Sequence, residues 1–128
     1  MRRTIGSILF AALLGAATPV AAEEKISTLP DIFKRLGKCF KAPKFPRGHP
    51  GLQITFIVAF TRTGDLFGQP KVTHESEYAT DNDRLLYRTA LMEALQRCTP
   101  MPFTEGLGDA VAGRPLRMRF DDRRTKSI

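Results

Sequence analysis

Cys39 and Cys98 are the only thiols in this 128-residue chain, and they stand 59 positions apart. They do not form a Cys-x-x-Cys redox pair. In an oxidising compartment, an even count of two leaves one intramolecular bridge. Closing a loop of about 60 residues limits the unfolded ensemble by roughly 4 kcal/mol in the chain-entropy picture, a large share of a small domain's stability. The other residues with chemical potential are weaker candidates. His74 has Glu75 and Glu77 close by, which is metal-ligand chemistry. At odd offsets along a strand, however, both carboxylates face away from the imidazole, and the sequence offers no third ligand. These residues therefore read as solvated groups at a strand end, and His49, between Gly48 and Pro50, reads as a loop residue. Asp121 and Asp122 are neighbours whose side chains point apart on a strand, so they make no general acid–base pair. No Ser-His-Asp order with an elbow motif occurs, and no Gly-rich phosphate loop. The expectation is a binding protein and not an enzyme, with no cofactor and no metal.

The oxidising compartment is inferred from residues 1–22. Arg2 and Arg3 form a positive start, and Ile5 to Ala17 form an apolar run. Thr18-Pro19 then precedes the small-residue site Val20-Ala21-Ala22, which predicts an export signal cleaved after Ala22. The other reading, an uncleaved anchor, meets an apolar run shorter than the ~20 residues of a spanning helix. Residues 23–128 are then one periplasmic domain, not membrane-spanning, large enough for a modest core. Removing residues 1–22 takes away Arg2 and Arg3 and no acid, so the formal charge falls from +7 to +5. The excess lies in residues 34–44 and 114–126. An exported chain would rarely meet nucleic acid; this charge suits an anionic partner surface, a lipid headgroup layer or solubility.

The elements that would position these residues follow from periodicity. Ser27-Thr28-Leu29-Pro30-Asp31 is a helix start. Ile32, Phe33, Leu36, Cys39 and Phe40 then form an apolar stripe, and the prolines and glycines of residues 41–51 make a connector. From Leu52 to Arg62 the chain alternates, with Leu52, Ile54, Phe56, Val58 and Phe60 on one face. Thr63-Gly64-Asp65 turns into a second strand through Leu66, Phe67, Val72 and His74, with Pro70 at an edge or bulge. Asp81 or Asp83 caps a helix whose broad face is Leu86, Tyr87, Ala90, Leu91, Ala94, Leu95 and Cys98. Gly106, Gly108 and Gly113 mark a loop, and a last strand carries Leu116, Met118 and Phe120 inward with Arg117 and Arg119 outward. The expected fold is α+β, in the order α-β-β-α-β: a three-stranded antiparallel sheet with two helices packed on one face. A Cys39–Cys98 bridge would join the two helix ends.

The ordered set of features carries a resemblance. It comprises a helix ending in Lys38-Cys39-Phe40, a Pro-rich connector, and an alternating strand leading through Thr63-Gly64-Asp65-Leu66-Phe67-Gly68-Gln69-Pro70-Lys71-Val72. A helix closing on Leu95-Gln96-Arg97-Cys98-Thr99-Pro100 follows, then the strand from Arg114 to Phe120. Over residues 29–121 this resembles the C-terminal periplasmic domain of TolA, within the TonB C-terminal superfamily. The resemblance implies a disulfide between the helix ends. It also implies a protein-binding module of the cell envelope that contacts periplasmic or outer-membrane-associated proteins. Such domains pair a partner segment with the open edge of the last strand, which supplies a row of backbone donors and acceptors. Leu116, Arg117, Met118, Arg119 and Phe120 are the matching positions here. About eight residues separate the expected cleavage site from the first helix, a reach of at most ~28 Å, so binding without energy transduction is expected.

Other readings of the same residues stand beside this one. Arg117 and Arg119 would also guard an edge against aggregation, and the edge could pair with a second copy. Leu85 and Met92 fall off the apolar face of the second helix and could touch a partner. The alternative function is an envelope surface factor that binds anionic lipid or glycan through the basic strips.

Overall fold

The computed structural model describes Gly15 and residues 24–124. The export segment and its cleavage position after Ala22 lie outside the described residues. The element order is α1 (Leu29–Cys39), β1 (Gln53–Val58), β2 (Lys71–Glu75), α2 (Asp81–Cys98), α3 (Glu105–Val111) and β3 (Leu116–Asp121). The three strands form one antiparallel sheet in the order β2-β1-β3. The fold is the expected α+β arrangement, enlarged by one helix.

The core grows from the central strand. Leu52, Ile54, Phe56, Val58 and Phe60 alternate onto one face and are essentially fully buried. Ile32 and Leu36 of α1 close over that face with Tyr87, Leu91 and Leu95 of α2. Thr28 caps α1, its hydroxyl accepting from the Asp31 amide at 3.4 Å. At the other end of α1, Cys39 is bonded to Cys98, with the two Cα atoms 5.9 Å apart, inside the usual disulfide range. Arg97 Nη1 donates to the Cys39 carbonyl at 3.0 Å, so a cation also sits at the α1 C-terminus. The two helix ends are therefore joined side by side.

Four local features differ from the sequence expectations. The glycine-marked loop contains α3: Thr104 caps it, accepting from the Leu107 amide at 3.3 Å, and Leu107 and Val111 are buried. Gly108 is small for a packing reason, since a Cβ there would run into the Arg62 carbonyl, and the Arg62 guanidinium pairs with Asp109 at 2.7 Å. The α2 cap is Thr80 and not an aspartate; Asp83 takes the third position of a capping box and receives the Thr80 amide at 3.3 Å. The second strand starts only at Lys71, because Gly68 adopts φ +72° and Pro70 cannot donate. Leu66 keeps a lone bridge to Phe60 across the Gly64 turn. Phe33 and Leu86, expected to face inward, are 40% and 42% exposed.

Candidate functional site

A three-stranded open sheet has two free edges, and this one treats them differently. On β2 the pairing with β1 shifts register between Thr55 and Phe56, and Pro70 stands immediately before the strand. Glu75 at its end is held by Arg88 of α2, whose Nε donates to Oε1 at 3.1 Å. Bulges, prolines and short length are how edges are made poor templates. On β3 the register runs unbroken through six pairs, from Gln53↔Asp121 to Val58↔Leu116.

The phase of β3 follows from its hydrogen bonds. The Asp122 amide donates to the Leu52 carbonyl at 3.0 Å and the Arg124 amide to the Pro50 carbonyl at 2.8 Å. Even-numbered residues therefore turn their peptide groups toward β1, and Arg117, Arg119 and Asp121 turn theirs toward the open edge. Side chains alternate in the other dimension. Met118 is buried, and Leu116 and Phe120 pack partly against the core; the Phe120 ring stacks on Phe40 at 4.3 Å and tilts against Phe56 at 5.2 Å. Arg117 and Arg119 are exposed on the opposite face. With its amide oxygen toward β3, Gln53 accepts from Arg119 Nη1 at 3.1 Å and Nε at 3.3 Å. That contact lays the Arg119 guanidinium across the sheet face and away from the edge.

Beside the edge is a groove of about 200 Å³ lined by Phe33, Arg117, Met118, Arg119 and Phe120. Four of the five expected edge residues meet there; Leu116 is not part of its lining. Phe33, whose spacing in α1 predicts a core position, lines this groove instead. Its signal was a second stripe on α1, because Leu29 and Phe33 are one turn apart and each is 40% exposed. Leu85 and Met92 are exposed as expected, away from this groove's lining. A second groove of about 230 Å³ runs along α1 and includes Lys25, Lys34, Arg35 and Lys38, but Glu24 and Asp31 line it too.

The remaining candidates have structural occupations. Both cysteines are in the bridge, so neither is a nucleophile. Asp121 and Asp122 do point apart. Asp121 accepts from Arg123 Nε at 2.9 Å and Nη2 at 2.8 Å, which raises the Arg123 pKa. Asp122 Oδ1 accepts from the Leu52 amide at 2.8 Å and the buried Tyr87 hydroxyl at 3.1 Å. Burial, followed by the adjacent Asp122 carboxylate, pushes the Tyr87 phenol up, so it stays a donor. His74 is exposed on β2, and among the described residues no three His, Cys, Asp or Glu side chains could hold a metal ion. His49 does more than a loop residue would. Its Nδ1 accepts from the Gly51 amide at 3.0 Å, so Nε2 carries the proton and donates to Asp83 at 3.1 Å, while the ring stacks on Phe45 at 4.0 Å. That bond is the main reason the Asp83 carboxyl lies below its ordinary value. His49 thus ties the connector to the start of α2.

Among the described residues no helix is long and apolar enough to cross a membrane. No curated protein and no solved structure matches the chain. A family model matches residues 22–124, and the chain belongs to that family, described as uncharacterised conserved protein UCP034077.

Proposed function

We propose that the chain is an exported periplasmic binding module of the TolA C-terminal type. It captures a partner protein by adding a strand of that partner to the open edge of β3, and it carries out no catalysis. The observation that carries this reading is the asymmetry of the two edges. β3 keeps its register over six pairs, turns the peptide groups of Arg117, Arg119 and Asp121 outward, and borders a groove where Phe33, Met118 and Phe120 meet two arginines; β2 is shifted and preceded by proline. Backbone pairing would give affinity and the groove would take alternate side chains of the added strand. The bridge at the helix ends supports the reading physically, because it fixes α1, and with it Phe33, before any partner arrives.

The test is photocrosslinking in living cells, with a photoreactive residue at Arg117, Arg119 or, as a control, Lys71 of β2. The proposal expects one defined protein joined at the β3 positions and none at Lys71. No protein adduct from either β3 position, with salt-sensitive binding to anionic vesicles instead, would replace it with the surface-binding reading.

A further inference from the structure

Resting on the strand-addition reading, the charge on the outer face of β3 specifies the partner: we infer that the added segment alternates acidic and apolar side chains. Acids would stand opposite Arg117 and Arg119, and apolar groups opposite Met118 and Phe120. Residues directly opposite in neighbouring strands share a face and interact. On the β1 side, Arg117 stands opposite Ile57 and Arg119 opposite Thr55, both uncharged. Neither arginine is in an ion pair among the described residues, and the nearby Asp121 is already taken by Arg123. Arg119 is hydrogen-bonded to the neutral Gln53 amide oxygen, so among the described residues a strand added at the open edge would bring each guanidinium its first carboxylate. On the inner face, that strand would continue the apolar surface of Met118, Phe120 and Phe33.

The same charges argue against a second copy as the occupant. Antiparallel pairing of β3 with itself centred on Arg119 sets Arg119 opposite Arg119. Centring it on Met118 sets Arg117 opposite Arg119 twice, and centring it on Phe120 sets Arg117 opposite Arg123 twice. Like charges directly opposite are destabilising. The Met118-centred register carries that repulsion alone, while the Arg119- and Phe120-centred ones offset it only by setting an arginine opposite Asp121, which is already bound to Arg123. An acidic strand therefore matches this edge better than a second copy does.

The test uses the oxidised mature chain and two capped seven-residue probe peptides, one alternating Val with Glu and one alternating Val with Lys, titrated by NMR. The Glu peptide is expected to bind about tenfold more tightly or better, with shifts concentrated at the Arg117, Arg119 and Asp121 amides. Arg117→Glu with Arg119→Glu is expected to reverse the preference, and Arg117→Glu alone to reduce it, which keeps the test usable if the double variant folds poorly. If both peptides shift the β3 amides with equal affinity, the acidic specificity is overturned and strand addition stands. Binding of the Glu peptide elsewhere, or of neither peptide, overturns the specificity and counts against the edge itself.

Discussion

Replacing Cys39 and Cys98 by alanine should remove a large part of the stability of the fold. The bridge closes a loop with a separation of 59 residues, and the chain-entropy relation assigns such a loop about 4 kcal/mol. Cys98 is 1% exposed and packs in the core, so the double alanine variant also loses some side-chain contact. Reduction of the wild type isolates the cross-link alone. In urea, with a slope of about 2 kcal/mol per molar, the oxidised protein should unfold roughly 2 M later than the reduced one. Thermal melts should differ by roughly 15–30 °C. Equilibrium unfolding followed by circular dichroism, with and without reductant, reads both quantities. A shift below about 1 kcal/mol would refute the reasoning. It would mean that core contacts and the Arg97–Cys39 carbonyl bond already hold the helix ends together in the absence of the bridge.

Four further outcomes follow from the packing. Tyr87→Phe removes the hydroxyl that donates to Asp122 and the Leu52 carbonyl and should cost about 1–3 kcal/mol in denaturant titrations. Gly64→Ala should be far worse than Gly68→Ala: both glycines have positive φ, but only at Gly64 would a Cβ meet the Met101 backbone. Unfolding should show about 3 kcal/mol or more for the first and about 1 kcal/mol for the second. Asp83 has a folded pKa below the ordinary carboxylate value, through its His49 bond first and its Thr80 bonds after that. Its stabilising contribution is therefore present above the unfolded pKa and lost as pH falls through the folded one. Asp83→Asn should accordingly flatten the fall in stability between about pH 5 and pH 2 seen in acid unfolding series. Phe33→Ala should change stability by no more than about 0.5 kcal/mol, because the ring is 40% exposed; it should nevertheless weaken capture of the partner in a pull-down with purified components.

Much of this architecture is legible in the sequence because it is written in local periodicity. The alternation from Leu52 to Phe60, the stripe of Tyr87, Leu91 and Leu95, and the alternation of Leu116, Met118 and Phe120 each select one face, and those faces meet in the core. The bridge was legible from the count and placement of two cysteines. What failed locally was the weight given to glycine. Gly106 and Gly108 suggested a loop, yet Thr104 followed by Glu105 is a helix start, and Gly108 is required by the close Arg62 backbone. Thr80 and the nearby aspartates are all good helix caps by residue type, and only the reciprocal bonds between Thr80 and Asp83 decide among them. Other features depend on residues far apart in the chain. The His49–Asp83 contact spans 34 residues, and no period announces it. The place of Phe33 beside β3 likewise depends on how α1 lies on the sheet, which its own stripe could not define. The edge residues themselves were readable; the unbroken register that distinguishes β3 from β2 was not.

Amide hydrogen exchange on the oxidised chain, alone and with the protein recovered by crosslinking at β3, tests strand addition most directly. In the free chain the amides of Arg117, Arg119 and Asp121 should exchange quickly, while those of Met118 and Phe120 are already protected by β1. In the complex the first three should become protected together, giving a continuous protected strand. If those three amides stay fast in the complex while protection appears on β2 or along α1, the partner does not add a strand to β3, and the proposed mode of binding is wrong.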